Sequence, residues 1–223
     1  MGLSPDPAIV PAFPAYYKLL TEKNKVMNLT AITEETEVAR LHFLDCLALL
    51  QFCDFRGKTV IDVGSGAGFP GFPLAIWEKS MSLTCLDAQR KRVNFLTEAA
   101  EPLGLANVTC IHGRAEEAAR TALGEHFDYA LSRAVARLNV LCELCLPFVR
   151  PGGAFVAMKS VDTEEEISEA KPAVKLLGGK IRQVADYTIP GTEVTHRAVI
   201  IQKLTPTPKG YPRRFARIQK EPL

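Results

Sequence analysis

This chain contains no run of about eighteen or more apolar residues, the length a membrane-crossing helix needs, so no such span is expected. Its first ten residues carry prolines and an aspartate in place of the basic patch and apolar stretch of an export signal. Asp6 stands where N-myristoylation requires Ser or Thr, so no lipid anchor is expected. Charge of one sign is also scarce. The 27 Lys and Arg against 25 Asp and Glu leave a net +2, too little to argue for a nucleic-acid partner by itself. Cysteine is present (Cys46, Cys53, Cys85, Cys110, Cys142, Cys145), but in apolar surroundings of a chain too large to need disulfide staples. These residues read as small buried hydrophobes in a reducing compartment, the cytoplasm. Cys142 and Cys145 fall on the apolar stripe of a helical segment with no second pair or histidine beside them. His42, His112, His126 and His196 lack ligand spacing as well, so no metal is expected.

At 223 residues and 47% apolar content, the chain can bury a proper core as one domain with short extensions. Thr33, followed by Glu34 and Glu35, reads as a capped helix start. From residue 57 onward, short β-branched runs at 59–63, 82–86, 108–111, 129–131, 154–158, 181–187 and 198–202 alternate with helical spacing, as at 90–103 and 138–148. Parallel strands joined by right-handed crossovers are the economical solution, which predicts a doubly wound, mostly parallel seven-stranded α/β sheet. The last two strands lie too close in sequence for a helical crossover and should form an antiparallel hairpin. The expected organisation is an N-terminal helical extension (1–56), a core (57–204) and a basic tail (205–223). Lys203, Lys209, Arg213, Arg214, Arg217 and Lys220 lie between residues 202 and 220 without an acid among them. Pro206, Pro208 and Pro212 mark the tail as an extended surface segment. Such a run either neutralises phosphates or simply solvates the chain end.

The central motif is Asp62-Val63-Gly64-Ser65-Gly66-Ala67-Gly68-Phe69-Pro70-Gly71, a buried strand entering a glycine turn before a helix. Glycines allow a sharp turn and close approach of backbone to a ligand. The dinucleotide fingerprint wants glycine at the first, third and sixth positions, but here Gly64, Gly66 and Gly68 alternate and Phe69 takes the sixth. That argues against a nicotinamide cofactor. Asp62 would place a carboxylate at the mouth of the first strand, a better neighbour for an ammonium than for a pyrophosphate. S-adenosylmethionine carries such an ammonium. Asp87 closes the second strand, the position from which a carboxylate takes both ribose hydroxyls; the same residue can instead cap the helix beginning near Arg90. Ala115 and Glu116 follow the third strand, where an amide and a carboxylate can read adenine, although Glu116 also suits a first-turn helix acid. Arg133 and Lys159 end the fourth and fifth strands at the carboxyl edge where ligands of such sheets bind, with Arg114 nearby. Strand-end cations are often merely solvated, but two in one crevice point to a cofactor carboxylate or RNA phosphate as partner.

Asn28-Leu29-Thr30, His42-Phe43-Leu44-Asp45, the glycine motif, Lys91-Arg92-Val93, Ser132-Arg133-Ala134, Met158-Lys159 and Tyr211-Pro212-Arg213-Arg214 together resemble the small-subunit ribosomal RNA methyltransferase G family, also called glucose-inhibited division protein B, over nearly the whole chain. The resemblance implies a class I S-adenosylmethionine-dependent methyltransferase fold. It further implies transfer of a methyl group to nitrogen 7 of a guanine in a decoding-region loop of bacterial 16S ribosomal RNA. Cofactor contacts are implied at Gly64, Phe69, Ala115, Glu116 and Arg133. Cys46 replaces the family's usual serine, and residues 215–220 lack its Gly-Thr-Pro-Asn.

The residues are compatible with that chemistry. Guanine N7 has a free in-plane lone pair at neutral pH and needs no base, and positioning alone can supply roughly 7–11 kcal/mol. Exocyclic adenine methylation wants Asp/Asn-Pro-Pro-aromatic where Leu131-Ser132-Arg133-Ala134 stands, and no cysteine follows a proline as cytosine C5 chemistry typically wants. Duplex RNA hides N7 in its deep groove, so the target guanine must lie in a loop, bulge or partly assembled particle; with the resemblance, the expected partner is 16S RNA or a small-subunit precursor, and a monomer is expected. Lys159, Arg197, Arg213 and Arg214 are the expected phosphate contacts. A small-molecule methyltransferase is the alternative, and a ribosome-docking nucleotide-binding module without chemistry is a third reading.

Overall fold

The computed structural model describes residues 5–133 and 136–223; Ala134 of the Ser132-Arg133-Ala134 motif and the opening residues 1–4 lie outside the described residues. Seven strands form one sheet in the order β3-β2-β1-β4-β5-β7-β6. They are β1 (Thr59–Val63), β2 (Ser82–Asp87), β3 (Val108–His112), β4 (Phe127–Arg133), β5 (Val149–Ser160), β6 (Gly179–Thr188) and β7 (Thr195–Lys203). The first five pair in parallel, whereas β7 enters antiparallel between β5 and β6, with Val156 opposite Ile200 and Val199 opposite Val184. The expected hairpin is thus present, and the strand-order reversal falls between β1 and β4. Crevices for ligands open at such a reversal, beyond the carboxyl ends of the strands.

Nine α-helices flank the sheet among the described residues: α1 (Ala12–Met27), α2 (Glu35–Val38), α3 (Asp45–Leu47), α4 (Gly71–Trp77), α5 (Arg90–Ala100), α6 (Ala115–Ala118), α7 (Leu138–Cys145), α8 (Glu164–Leu176) and α9 (Phe215–Lys220). A π turn, Ala39–Leu44, joins α2 to α3. Because side chains alternate along a strand, Val60 faces one core with α1, α4 and α5, while Ile61 and Val63 face a second core with α7 and α8. A central parallel strand covered on both faces reads as a continuous apolar run, as β1 does apart from Asp62. Cys142 and Cys145 are fully buried in the second core, which explains their spacing as packing.

Two local expectations are corrected. Thr33 is not the helix cap: Glu34 precedes α2, and its carboxylate accepts the Glu37 N–H at 2.8 Å. With the cap one residue later, the glutamate carboxylate takes the free amide three residues on, as a capping side chain does. The C-terminal segment is irregular and mostly exposed over 204–214, where its prolines lie, but does not stay extended to its end. It ends in α9, whose Ile218 is fully buried, and Lys203 at the end of β7 is fully buried with its ammonium donating to the Leu146 and Leu177 carbonyls at 3.1 and 3.0 Å. Burial lowers the Lys203 pKa to about 8, with Glu125 opposing.

Candidate functional site

The glycine loop leaves β1 through three left-handed residues, Gly64, Gly66 and Gly68. Amides of Gly64 and Ser65 donate to the Leu86 carbonyl at 2.8 and 3.2 Å, which ties the loop to β2. Gly68 has φ +100°, and a β-carbon there would lie 3.0 Å from Leu96 and 3.1 Å from Phe72, besides meeting the Tyr16 hydroxyl. Glycine is required twice over, by conformation and by space. The hydroxyl of the fully buried Tyr16 donates to the Ala67 carbonyl, so the N-terminal helix holds the loop from behind.

Asp62 lies under the loop, not at its mouth. It is fully buried and points with Val60 toward the α4 side, where its Oδ2 accepts the Gly71 N–H at 2.9 Å. Strand alternation decides this, because only every other side chain can face a given layer. Its Oδ1 has no hydrogen-bond partner among the described residues. Burial pushes its carboxyl up to about 7, opposed by the Gly71 amide and the Arg133 charge.

A cleft of ≈ 410 Å³ opens above the loop, lined by the loop itself with Thr30, His42, Asp87, Arg92 and Arg133. Asp87 Oδ2 accepts the Gly66 N–H at 2.9 Å and Oδ1 the Gln89 N–H at 2.8 Å, while Arg92 stands 3.6 Å away. The Gly113 amide donates to the Asp87 carbonyl at 3.1 Å, which brings the start of α6 alongside. There Glu116 turns to Arg114 at 2.6 Å and lines a separate groove, and neither Ala115 nor Glu116 is on the cleft wall.

Arg133 closes the cleft's far side. Its guanidinium donates to Asp45 Oδ2 at 3.0 Å and contacts His42 Nδ1 at 3.2 Å, with its carbon 4.9 Å from the Phe69 ring centre. His42 stacks on Phe69 at 4.5 Å and reaches Thr30 Oγ1 through Nε2 at 2.8 Å. The Asn28-Leu29-Thr30 turn makes this possible: Asn28 is left-handed (φ 49°), and the Asn24 carboxamide accepts the Leu29 and Thr30 amides. Burial, then the Arg133 charge, lowers the His42 pKa to about 4. Asp45 is fully buried, which alone would raise its pKa, but hydrogen bonding from His196 and the Arg133 charge outweigh burial and hold it down. In the sequence His42 and Asp45 stand within a motif that assigns them no role. Thr30 likewise stands only within the Asn28-Leu29-Thr30 motif, and Tyr16 and His196 carry no local signal for this site.

Beyond the partition of His42 and Arg133, which line both cavities, lies a second chamber of ≈ 530 Å³, whose other walls are Ile32, Leu41, Asp45, Met158, Lys159, Ser160, Val194 and His196. The expected phosphate-binding cations are not alike. Lys159 is paired with Glu166 and donates to the Ala136 carbonyl at 2.7 Å. Arg197 is 7% exposed and held by Asp186 and Glu164. Arg213 grips the buried Glu143 through side chain and backbone. Each of these three cations thus already has a carboxylate partner within the chain. Arg214 is exposed and forms no ion pair among the described residues; it lines a groove with Arg114, Arg120 and Phe215. The buried cysteines offer no nucleophile, since burial raises the Cys46 thiol far above its usual range and the Cys53 thiol to about 12. Among the described residues no helix is long and apolar enough to cross a membrane.

Several solved structures share this fold. A SAM dependent methyltransferase from Aquifex aeolicus matches at TM-score 0.55 and 18% identity, covering 74% of this chain and 92% of that one. M. jannaschii TYW2 in complex with AdoMet matches at TM-score 0.55 and 16% identity, covering 72% and 75%. These establish a class I methyltransferase fold. Sequence relatives are far closer. A ribosomal RNA small subunit methyltransferase G from Clostridium perfringens (strain 13 / Type A) is 46% identical over 95% of this chain and 89% of its own length. One from Alkaliphilus metalliredigens is 44% identical over 100% and 94%. The family model for rRNA small subunit methyltransferase G matches residues 9–194, and the protein therefore belongs to the rRNA small subunit methyltransferase G family.

Proposed function

We propose that this protein transfers a methyl group from S-adenosylmethionine to nitrogen 7 of a guanine in a loop of bacterial 16S ribosomal RNA, acting in the cytoplasm as a monomer on the RNA or a small-subunit precursor. The observation that carries this reading is the cleft in which the glycine loop, Phe69 and Asp87 converge beside Arg133. The residues fit the cofactor. Backbone of Gly64, Gly66 and Gly68 gives close approach, and each Asp87 oxygen keeps lone-pair capacity for a ribose hydroxyl. Ala115 and Glu116, brought alongside Asp87, are the proposed adenine contacts, and Arg133 with Phe69 closes the methionine end. Asp62 acts from beneath by fixing Gly71. When bound, the cofactor supplies a methyl group on a positively charged sulfur. None of the chain's residues needs to remove a proton, because guanine N7 carries a free lone pair. Their work is to hold both partners and exclude water from between them.

The exposed Arg214, with Arg114 and Arg120 beside it, is the proposed phosphate contact. Mapping modified bases in 16S RNA from cells with and without the gene tests the reading. One 7-methylguanosine is expected to vanish with the gene, and its persistence would reject the assignment.

A further inference from the structure

We propose that the second chamber seats the target purine, with Arg133 and His196 as the residues that read its edges. This rests on the methyl-transfer reading and names the place and the chemistry of the acceptor. The cofactor cleft and the chamber both include His42 and Arg133 in their walls, so a base in the chamber lies next to the cleft. A nucleobase has apolar faces and polar edges. The chamber offers Ile32, Leu41, Met158 and Val194 for the faces and ≈ 530 Å³ of space, within the range of small-ligand pockets.

The polar groups fit guanine in one orientation. With N7 toward the partition, O6 lies on the same edge, next to Arg133. One Nη2 hydrogen and the Nε hydrogen of Arg133 have no acceptor among the described residues. The Watson–Crick edge, with its N1–H and 2-amino donors, then points away from the cleft. His196 stands there. Its Nδ1 lies 2.8 Å from Asp45 Oδ1, and a carboxylate only accepts, so Nδ1 carries the hydrogen. In the neutral ring Nε2 is left as an acceptor, with no partner among the described residues. Adenine presents an acceptor at N1 and would leave both nitrogens unpaired. Asp45 sets the spacing of the two readers, holding Arg133 on Oδ2 and His196 on Oδ1, while Tyr187 fixes Oδ1 from a third side at 2.9 Å. The His42-Phe43-Leu44-Asp45 motif thereby acquires a role, with His42 in the wall common to both cavities and Asp45 spacing the readers in the chamber.

Two substitutions in the full-length protein test this. Val194 is 39% exposed, so Val194→Trp can fill the chamber without entering the core. Methyl transfer to 16S transcripts is expected to fall about 100-fold or more, while calorimetric affinity for S-adenosylhomocysteine stays within about twofold. Transcripts carrying guanine or adenine at the modified position then report on His196. The native enzyme is expected to prefer guanine by at least about 100-fold; His196→Leu should narrow that ratio about tenfold or more, and His196→Gln, which keeps an acceptor, should restore most of it. Unchanged transfer by Val194→Trp, or an unchanged guanine-to-adenine ratio in His196→Leu, overturns the proposal. A native protein that binds the cofactor product yet methylates neither transcript overturns the methyl-transfer reading instead.

Discussion

Arg133 Nη1 lies 3.0 Å from Asp45 Oδ2, joining the end of β4 to the start of α3 beside the His42 and Arg133 wall that both cavities share. The pair is buried, with side-chain exposures of 16% and 0%, so removing one partner strands the other's charge. Asp45→Asn keeps the shape and deletes the charge. The expected loss is about 3–5 kcal/mol, seen as a Tm lower by roughly 10 °C, together with weaker binding of the cofactor product. A Tm unchanged within a degree or two would mean that solvent, not Asp45, satisfies Arg133.

How far the sequence could foresee this arrangement depends on the range of the interactions. The parallel core was legible because β-branched runs and helical spacing are local patterns, and the glycine loop because its alternation limits what backbone can do there. The Arg133–Asp45 and His196–Asp45 contacts span 88 and 151 positions, and no local period encodes them. The same holds for α9, which lies in a prolyl, basic stretch yet is fixed by Ile218 in the second core and by Arg213 on Glu143, 70 residues upstream. Asp62 stands out in the motif, but the structure buries it beneath the loop where the sequence suggests the mouth. The motif displays the residue, whereas the strand register decides which layer it faces.

Asp62 gives the fold a pH dependence opposite to that of most carboxylates. Its pKa is raised from 3.8 to about 7, chiefly by burial, so the native state binds a proton more tightly than the unfolded chain. The associated stability is complete below the unfolded pKa and is lost as pH rises through about 7, an upper bound of roughly 4 kcal/mol. Urea unfolding at pH 5 and pH 8 should therefore show native protein losing stability relative to Asp62→Asn, whose amide cannot ionise but still accepts the Gly71 N–H. Parallel profiles for the two proteins would place the ionisation elsewhere.

Gly68 and Gly104 both adopt positive φ, +100° and +63°, but only Gly68 is crowded; a β-carbon at Gly104 meets nothing within 4 Å. Gly104→Ala is expected to cost about 1 kcal/mol from conformation alone, with cofactor affinity intact. Gly68→Ala adds overpacking against Phe72, Leu96 and Tyr16, a further 1–3 kcal/mol or so, and must displace the loop that frames the cleft. Calorimetry with S-adenosylhomocysteine separates them: a loss of at least about tenfold is expected for Gly68→Ala only. Equal affinities would detach the loop from cofactor binding.

Arg213 and Arg214 are neighbours in sequence with different partners, which allows one experiment to divide anchoring from RNA contact. Arg213→Ala leaves Glu143, 1% exposed, without its cation, so this variant should lose about 3 kcal/mol or more and release α9 from α7. Arg214 is exposed and forms no ion pair among the described residues, so Arg214→Ala should leave Tm unchanged. If it touches a phosphate, each such contact on a single strand contributes about 0.7 to the slope of log affinity against log salt. Filter binding of a 16S loop transcript between about 50 and 200 mM salt should then give a shallower slope for Arg214→Ala by about that amount, with the native slope kept by a remote control such as Arg56→Ala. Arg56 suits that purpose because its partner is the exposed Asp54, beside β1 at the opposite end of the sheet from the cleft. A native slope in Arg214→Ala would assign the groove beside α6 to chain solubility and direct the search for RNA contacts to the rim of the second chamber.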